Sequence, residues 1–465
     1  MTTPDAPPIR RVLVANRGEI AVRVLRTLRR MGLESVLAVS AADRDGLGAR
    51  LADRVLCVGP ARAADSYLNI AALVHAARAG GAQAVHPGYG FLSERAAFAR
   101  ACEDAGLAFI GPTSAQIERV GDKLAARALA EAADVPVAPG GPVATRDEAL
   151  ALAARIGYPV LVKAVGGGGG RGLKRADDAL QLAALFDLAS AEAGSAFGDP
   201  RVYVECFVER GRHVEVQVLG DGRRLIHLGD RDCSVQRRYQ KLIEEAPAPG
   251  LPPALRDALH AAACRFAGAI GYRSLGTVEF LVDVEREAFY FLEMNARIQV
   301  EHPVTEMVTG LDLVEQQIRV AQGEPLSLTQ ADVRVDGHAI ECRLNAEDPA
   351  RDFRPAPGRL AAVAFADGPG LRVDTHVEPG TVVPPHYDSM LAKLIAHGAT
   401  RDEALARQRA ALDAAVLDGV PTNLALHRAL LAAPDFAAGG VDTGWLARFL
   451  APAAVAAAAA PNPLA

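Results

Sequence analysis

Two short apolar runs, Val278–Asp283 and Phe289–Asn295, are joined by a charged turn around Glu285-Arg286-Glu287, a spacing that suits an antiparallel hairpin. A hairpin centred on Arg286 sets Glu279 opposite Glu293. Like charges directly across a strand pair destabilise it. Paired carboxylates in an otherwise apolar hairpin therefore point to a cation between them, and hard oxygen ligands that leave room for phosphate oxygens suit Mg²⁺ or Mn²⁺. A solvated hairpin face is the plainer alternative. Past Glu293 the residues alternate, with Glu293, Asn295, Arg297, Gln299 and Glu301 at odd positions and Met294, Ala296, Ile298 and Val300 between them. Period two predicts a continuing strand with all five polar groups on one face. Metal ligands, an anion-binding guanidinium, an amide and a free carboxylate then follow in order. His302-Pro303 ends the extension, and His302 reads as structural.

A second constraint is the run from Gly166 to Gly172, in which six of seven residues are glycine. It lacks the Lys-Ser/Thr ending of a Walker loop, and its flanks, Val160–Val165 and Leu173–Arg175, read as strands. The glycines thus form a hairpin-like flap whose bare amides could fold over phosphates; a flexible linker is the alternative. Lys163 lies in the apolar run before the flap, where an unpaired charge would be costly, and Lys123 opens a helix after Gly121-Asp122. Both are candidates to place an ammonium near phosphate.

At 465 residues the chain is long enough for about three domains. Residues 1–120 alternate strands (Val12–Ala15, Ser35–Val39, Arg54–Val58, Ala84–His86, Ala108–Ile110) with helices (Glu19–Met31, Asn69–Ala79, Glu94–Ala105), the pattern of a parallel, helix-covered sheet. Residues 121–334 form an α+β domain in which 135–207 reads as a mobile inserted lobe, and 335–450 form a third, α+β domain with a helix Arg401–Leu417. The Ala/Pro-rich stretch 451–465 is expected to be disordered. A formal charge of −6 gives no basic footprint for nucleic acid. No apolar run is long enough to cross a bilayer, and the amino terminus does not read as a signal peptide. Six scattered cysteines suggest reduced thiols in a cytoplasm.

Two further clusters stand out. Arg231 to Lys241, followed by Glu244-Glu245, is either a solvated loop or a functional one. Arg343 lies inside a strand-like run, where it needs a carboxylate or a ligand.

At these residues the sequence closely resembles the biotin carboxylases, the ATP-grasp component of biotin-dependent carboxylases. The match runs from Ala15-Asn-Arg-Gly-Glu-Ile20 through His86–Glu94, the glycine flap, Arg212–Glu215, Asp232–Pro249 and Met294–Glu306 to Pro385–Lys393. The resemblance implies an ATP-grasp fold with an N-terminal parallel-sheet domain, a mobile lid lobe and a C-terminal α+β domain. It implies ATP bound by Lys123, Lys163, His213, Gln236 and the flap glycines Gly168, Gly169 and Gly170. Adenine would lie at Glu205 and the Val208 backbone, between Leu173 and Leu281. Glu279, Glu293 and Asn295 would bind Mg²⁺ or Mn²⁺ at two sites, and Arg297, Gln299 and the Val300 backbone would hold bicarbonate. Glu301 would be the general base, Lys241 would steady the transferred phosphoryl group, and Arg343 and Tyr89 would meet biotin.

The implied reaction is ATP- and bicarbonate-dependent carboxylation of biotin N1 through carboxyphosphate, with acetyl-CoA as the expected final acceptor and propionyl-, methylcrotonyl- or geranyl-CoA as alternatives. No biotinylation motif or carboxyltransferase region is found, so a biotin carboxyl carrier protein and carboxyltransferase subunits are expected on other chains. A homodimer formed partly by helix Glu19–Arg30 is also implied. The chain departs from the family pattern at Tyr239 for histidine, Ala296 for a hydroxyl residue and Arg30 for an acid. An ATP-grasp carboxylate–amine ligase, or an ATP-binding pseudoenzyme, would share the flap and the carboxylate pair.

Overall fold

The computed structural model describes residues 8–166 and 172–458. The glycines Gly168, Gly169 and Gly170 lie outside the described residues, as do 1–7 and 459–465.

Strands β1 (Arg11–Val14), β2 (Glu34–Ser40), β3 (Arg54–Gly59), β4 (Ala84–His86) and β5 (Ala108–Phe109) form a five-stranded parallel sheet in the order β3-β2-β1-β4-β5. Its central strand is apolar at three consecutive positions, Val12, Leu13 and Val14, all fully buried. That is the signature of a strand covered on both faces. Helices α1 (Gly18–Arg30), α2 (Leu47–Leu51), α3 (Ile70–Ala79) and α4 (Ala96–Asp104) follow the strands. The order reverses at β1, between β2 and β4, and open parallel sheets build ligand crevices outside the strand ends at such a point. Asn16, just past β1, donates through Nδ2 to the carbonyls of Pro87 and Tyr89 just past β4, at 2.7 Å each, and so ties the two strand ends together.

Helix α5 (Ser114–Gly121) was not read from the sequence, although Thr113 and Gln116 make a capping box at its start. Helix α6 (Lys123–Ala132) begins on Asp122, whose side chain accepts from the Ala125 amide. The cap places Lys123 at the first helical position.

The inserted lobe is a four-stranded antiparallel sheet, β6 (Gly140–Val143), β7 (Val160–Ala164), β8 (Leu173–Ala176) and β9 (Val202–Cys206), in the order β6-β9-β7-β8. Helices α7 (Arg146–Ile156) and α8 (Ala179–Phe197) pack on it around a core that includes Val160, Val162, Leu182, Phe186 and Val204. The flanks of the glycine run are thus a hairpin, as expected.

The body is one eight-stranded sheet. Strands β10 (Arg212–Asp221), β11 (Leu225–Arg237), β12 (Gln240–Ala246), β13 (Arg273–Asp283), β14 (Ala288–Asn295) and β15 (His338–Asn345) join the strands Leu371–Thr375 and Met390–Gly398. The order is β14-β13-β10-β11-β12-β15, then Met390–Gly398, then Leu371–Thr375. Helix α9 (Pro253–Gly268) packs on β10 and β11. Helices α10 (His302–Thr309) and α11 (Leu313–Ala321) follow β14 in the chain. The sheet crosses the sequence-based border near 335 without a break, because β12 pairs with β15 from Ile243↔Cys342 to Ala246↔Ala339.

Four expectations are corrected. The solvated-loop option for Arg231–Lys241 fails: these residues are the β11–β12 hairpin, and Arg231 is fully buried because carboxylate and amide partners surround it. The strand expected to run to Glu301 stops at Asn295. Arg297, Gln299 and Glu301 follow on an irregular segment that leads into α10, since Pro303 in the first turn favours helix and no ladder partner extends the strand. The helix expected over Arg401–Leu417 ends at Ala414 as α12, and Val416–Asp418 instead pairs with Ala362–Ala364, as its β-branched and branched residues favour. The Ala-rich stretch expected to be disordered enters a helix, Trp445–Ala458, in keeping with alanine's helix propensity.

Candidate active site

The register of the body sheet collects the site. Glu215 on β10 lies opposite Glu279 on β13 and opposite Arg231 on β11, His213 lies opposite Leu281, and Glu279 lies opposite Glu293 on β14. Residues directly opposite share a face, so these side chains point together. The expected Glu279–Glu293 pairing holds for a reason the sequence did not show. From Phe280↔Phe291 to Asp283↔Ala288 the hairpin is one residue tighter, and a bulge between Glu279 and Phe280 restores the predicted register at the carboxylates.

Lys241 sits at the centre. Its Nζ donates to Glu215 Oε2 at 2.7 Å, Glu279 Oε1 at 3.0 Å and Glu301 Oε1 at 2.6 Å. Glu215, fully buried, also takes Arg231 Nε at 2.6 Å. Arg231 in turn reaches Gln217, Thr305 and Thr277. Burial disfavours the charge of Lys241, but Cys233, Glu215, Glu279 and Glu301 outweigh it and hold the ammonium well above the usual lysine range.

Glu301 is 1% exposed and lies between two cations, with Arg343 donating to its Oε2 at 2.8 Å. Burial opposes ionisation of Glu301, yet Lys241, Arg343 and Arg231 prevail and hold its carboxyl well below the usual range. Arg343 also pairs with buried Glu244, whose carboxyl burial pushes up to about 7 against the pull of that guanidinium. The expectation that Arg343 needs a carboxylate is met twice over.

The polar residues after β14 converge although they leave the strand. Arg297 donates through Nε to Glu94 Oε2 at 2.9 Å and through an Nη to Asn295 Oδ1 at 2.9 Å, and it contacts the Gln299 amide oxygen. Gln299 Nε2 and Asn295 Nδ2 both donate to Glu279 Oε1, at 3.0 and 2.9 Å. His302 is buried, with Nδ1 against the Gln299 carbonyl at 2.8 Å, in keeping with a structural part.

Of the expected metal ligands, Glu279 is gathered tightly with His213 and Glu215, whereas Glu293 and Asn295 flank it on the hairpin. Glu293 is half-buried, with Lys123 3.8 Å away. Burial first and the charge of Glu279 second push its carboxyl up. Two carboxylates and an amide oxygen are a donor set that fits Mg²⁺ or Mn²⁺.

On the lobe, Lys163 forms a buried ion pair with Glu205 and lies 5.8 Å from the centre of the Tyr203 ring. Burial disfavours its charge, and Glu205 more than compensates, raising the ammonium above its ordinary value. Leu173 lies opposite Lys163 on the same face. Val208 is buried just past β9, and Gln236 is buried opposite Lys241. His213 Nε2 is 3.0 Å from Glu279 Oε2. Tyr89, whose hydroxyl meets Glu19, lines a cavity of about 250 Å³ with Asn16, Asp388 and Met390. Arg30 pairs with Asp312 and Glu315 of the same chain, at 2.7 and 2.6 Å. Sequence reading gave no individual role to Glu19, Glu94, Glu215, Glu244 or Lys393, although all five lie in stretches it singled out. The available signal was an ionisable residue inside an apolar strand or helix face, which was applied only to Lys163 and Arg343.

Residues 8–117 match the family described as biotin carboxylase, N-terminal domain, residues 122–329 the ATP-binding domain of the carbamoyl-phosphate synthase L chain, and residues 341–448 the biotin carboxylase C-terminal domain. Over 446 residues the chain is 51% identical to a biotin carboxylase of Pseudomonas aeruginosa, covering 95% of this chain and 99% of that one. It is 48% identical over 441 residues to biotin carboxylase 1 of Bacillus subtilis, covering 94% and 98%. Among solved structures, a biotin carboxylase complex with β,γ-ATP from Campylobacter jejuni superposes with a TM-score of 0.92 at 44% identity, covering 95% and 99%. The biotin carboxylase domain dimer of Hydrogenobacter thermophilus 2-oxoglutarate carboxylase, in complex with MgADP, ADP and bicarbonate, superposes with a TM-score of 0.90 at 43% identity, covering 95% and 98%.

Proposed function

The chain belongs to the biotin carboxylase family, and from that premise we propose that it uses ATP and bicarbonate to carboxylate N1 of biotin on a separate carrier protein. This is the first half-reaction of an acyl-CoA carboxylase, with acetyl-CoA the expected acceptor. The observation that carries the reading is Glu301, a buried carboxylate kept ionised between Lys241 and Arg343.

Held this way Glu301 is ready to accept a proton but weakly basic. When Lys241 turns to the oxygens of the transferring phosphoryl group, Glu301 loses its nearest cation and its basicity rises. Bicarbonate, held by Arg297, Gln299 and the Val300 backbone, gives its proton to Glu301 as its oxygen forms the bond to the γ-phosphorus and ADP leaves. Carboxyphosphate then breaks its C–O bond to CO₂ and phosphate, and phosphate takes the N1 proton of biotin. N1 attacks CO₂ while Arg343 stabilises the charge on the ureido oxygen.

Lys123, Lys163, His213, Gln236 and the glycine flap take the phosphates and ribose of ATP, and Glu205, the Val208 backbone, Leu173 and Leu281 take adenine. Glu279, Glu293 and Asn295 would hold divalent cations, which when bound neutralise triphosphate charge. Tyr89 meets biotin at the mouth of the site.

The division into 1–120, 121–334 with lid 135–207, and 335–450 is our reading, and the three family matches support it. The carrier and carboxyltransferase subunits are the proposed partners; a homodimer is supported by the dimer of the Hydrogenobacter relative, and α1 as part of its interface is our reading. No helix among the described residues is long and apolar enough to cross a membrane. Unpaired cysteines support placing the reaction in the cytoplasm.

Phosphate release from ATP with bicarbonate and Mg²⁺, with and without free biotin, tests the reading. Biotin-stimulated, bicarbonate-dependent turnover is expected, with a loss of about 100-fold or more in Glu301→Gln. Equal turnover in that variant would overturn the base assignment. Turnover indifferent to biotin would favour a carboxylate–amine ligase.

A further inference from the structure

Lys393 is fully buried in the middle of the strand Met390–Gly398, in the apolar run Leu391-Ala-Lys-Leu-Ile395. It lies directly opposite Arg343 on one neighbouring strand and Asp374 on the other. Two cations opposite each other inside a sheet repel, and a buried ammonium is costly, so this arrangement needs a reason beyond packing.

The reason lies in what the two cations hold. Arg343 grips the side chain of Glu301 at 2.8 Å, and Lys393 Nζ donates to the carbonyl of Val300 at 2.8 Å. That carbonyl belongs to the peptide that leads into Glu301. The pair therefore clamps the residue by both its backbone and its carboxylate. The charge of Lys393 is met by Glu19 Oε1 at 3.1 Å and, more distantly, by Asp374 at 3.9 Å. Glu19 accepts in turn from the Tyr89 hydroxyl. Asp374 is fixed by both ends of Arg372, which also reaches Glu306 of α10 at 2.7 Å.

We infer that Lys393 is a positioning residue for the reaction, one buried ammonium that sets the backbone of Glu301 and, through Glu19, the phenol of Tyr89. The inference rests on the function proposed above. The segment carrying Arg297, Gln299 and Glu301 has no ladder partner among the described residues, so its geometry depends on such side-chain holds. Among the described residues, the polar partners of Lys393 are Val300, Glu19 and Asp374, none of them assigned to ATP, which separates its effect from nucleotide binding.

The experiment compares the unsubstituted protein, Lys393→Met and the double variant Lys393→Met/Glu19→Gln, measuring kcat, separate KM values for bicarbonate, free biotin and ATP, and the thermal midpoint. In Lys393→Met, kcat/KM for bicarbonate and for biotin should fall by up to about 100-fold, the scale of a small misplacement of reacting groups, with KM for ATP unchanged. The double variant removes the uncompensated Glu19 charge while its new amide still accepts from Tyr89. It should recover the thermal midpoint and much of the biotin KM but not bicarbonate turnover, and it carries the test if the single variant does not fold. Recovery of bicarbonate turnover in the double variant would reduce Lys393 to a counter-ion and overturn the inference, as would unchanged constants in Lys393→Met. A lack of bicarbonate-dependent turnover in the unsubstituted protein would instead overturn the functional reading on which the inference stands.

Discussion

In the inserted lobe one largely buried ammonium, Lys163, meets one carboxylate, Glu205, and other ion pairs, such as Arg146 with Asp187 and Lys174 with Glu192, lie toward the surface. In the body a single ammonium, Lys241, meets three carboxylates, and two of these are shared with Arg231 and Arg343. The lobe holds its sheet with a local apolar core, so the Lys163–Glu205 pair stands apart from any wider charge cluster among the described residues. In the body the carboxylates are shared, Glu215 between Lys241 and Arg231 and Glu301 between Lys241 and Arg343, so one cation can turn away while the other keeps each carboxylate paired. Geometry that must be exact before substrate arrives is built from interlocked charges, whereas geometry that must move is built from few.

The largest expected effect is in the body. Arg231→Met should destabilise the protein by about 3–5 kcal/mol in urea unfolding, the usual cost of removing one partner of a buried pair, because it takes one of the two cations from the buried carboxylate of Glu215. A loss as small as that of a surface pair would break the contrast between the regions. In the lobe, Lys163→Met leaves Glu205 without its cation; a loss of about 1–3 kcal/mol is expected, with a raised KM for ATP and little change in KM for bicarbonate. Acid sharpens the comparison further. Burial works against ionisation of Glu245, but His338 and Arg401 hold its carboxyl below the usual range. A depressed carboxylate contributes stability that is fully present above its unfolded value and is lost as pH falls through its folded value. The unfolding midpoint of the unsubstituted protein should therefore fall toward that of Glu245→Gln below the ordinary glutamate range, in low and high salt alike. The smallest effect belongs to the lobe surface, where Arg146→Ala should cost about 0–1 kcal/mol and less still in salt.

The elements were largely legible because hydrophobic period and capping residues are local. The hairpin of Glu279 and Glu293 shows how far that reaches, since the pairing was right while the bulge that secures it was invisible. Local pattern misled where period two continued past Asn295 without a partner strand, for the alternation of Arg297, Gln299 and Glu301 serves convergence on Glu279, Lys241 and Glu94 rather than a ladder. Composition could not separate a solvated loop from a charged core at Arg231–Lys241, because the carboxylates that bury Arg231 and Lys241 lie on other strands. The supporting residues Glu19, Glu94, Glu215 and Lys393 are held by partners between 16 and 374 positions away in the sequence, as Arg231–Glu215 and Lys393–Glu19 illustrate. Such pairs lie beyond the few residues over which hydrophobic period and capping are read.

The pairing of β12 with β15 places Glu244 and Arg343 on opposite sides of the point where the family descriptions divide the chain. A fragment cut at that point would turn the centre of a broad sheet into a raw edge, a row of unpaired amides and carbonyls open to any passing strand. It would also leave half a charge cluster facing solvent. Expressed alone, either piece should aggregate rather than bind nucleotide, so any transplantation of this activity onto another scaffold has to carry both sides of the seam together.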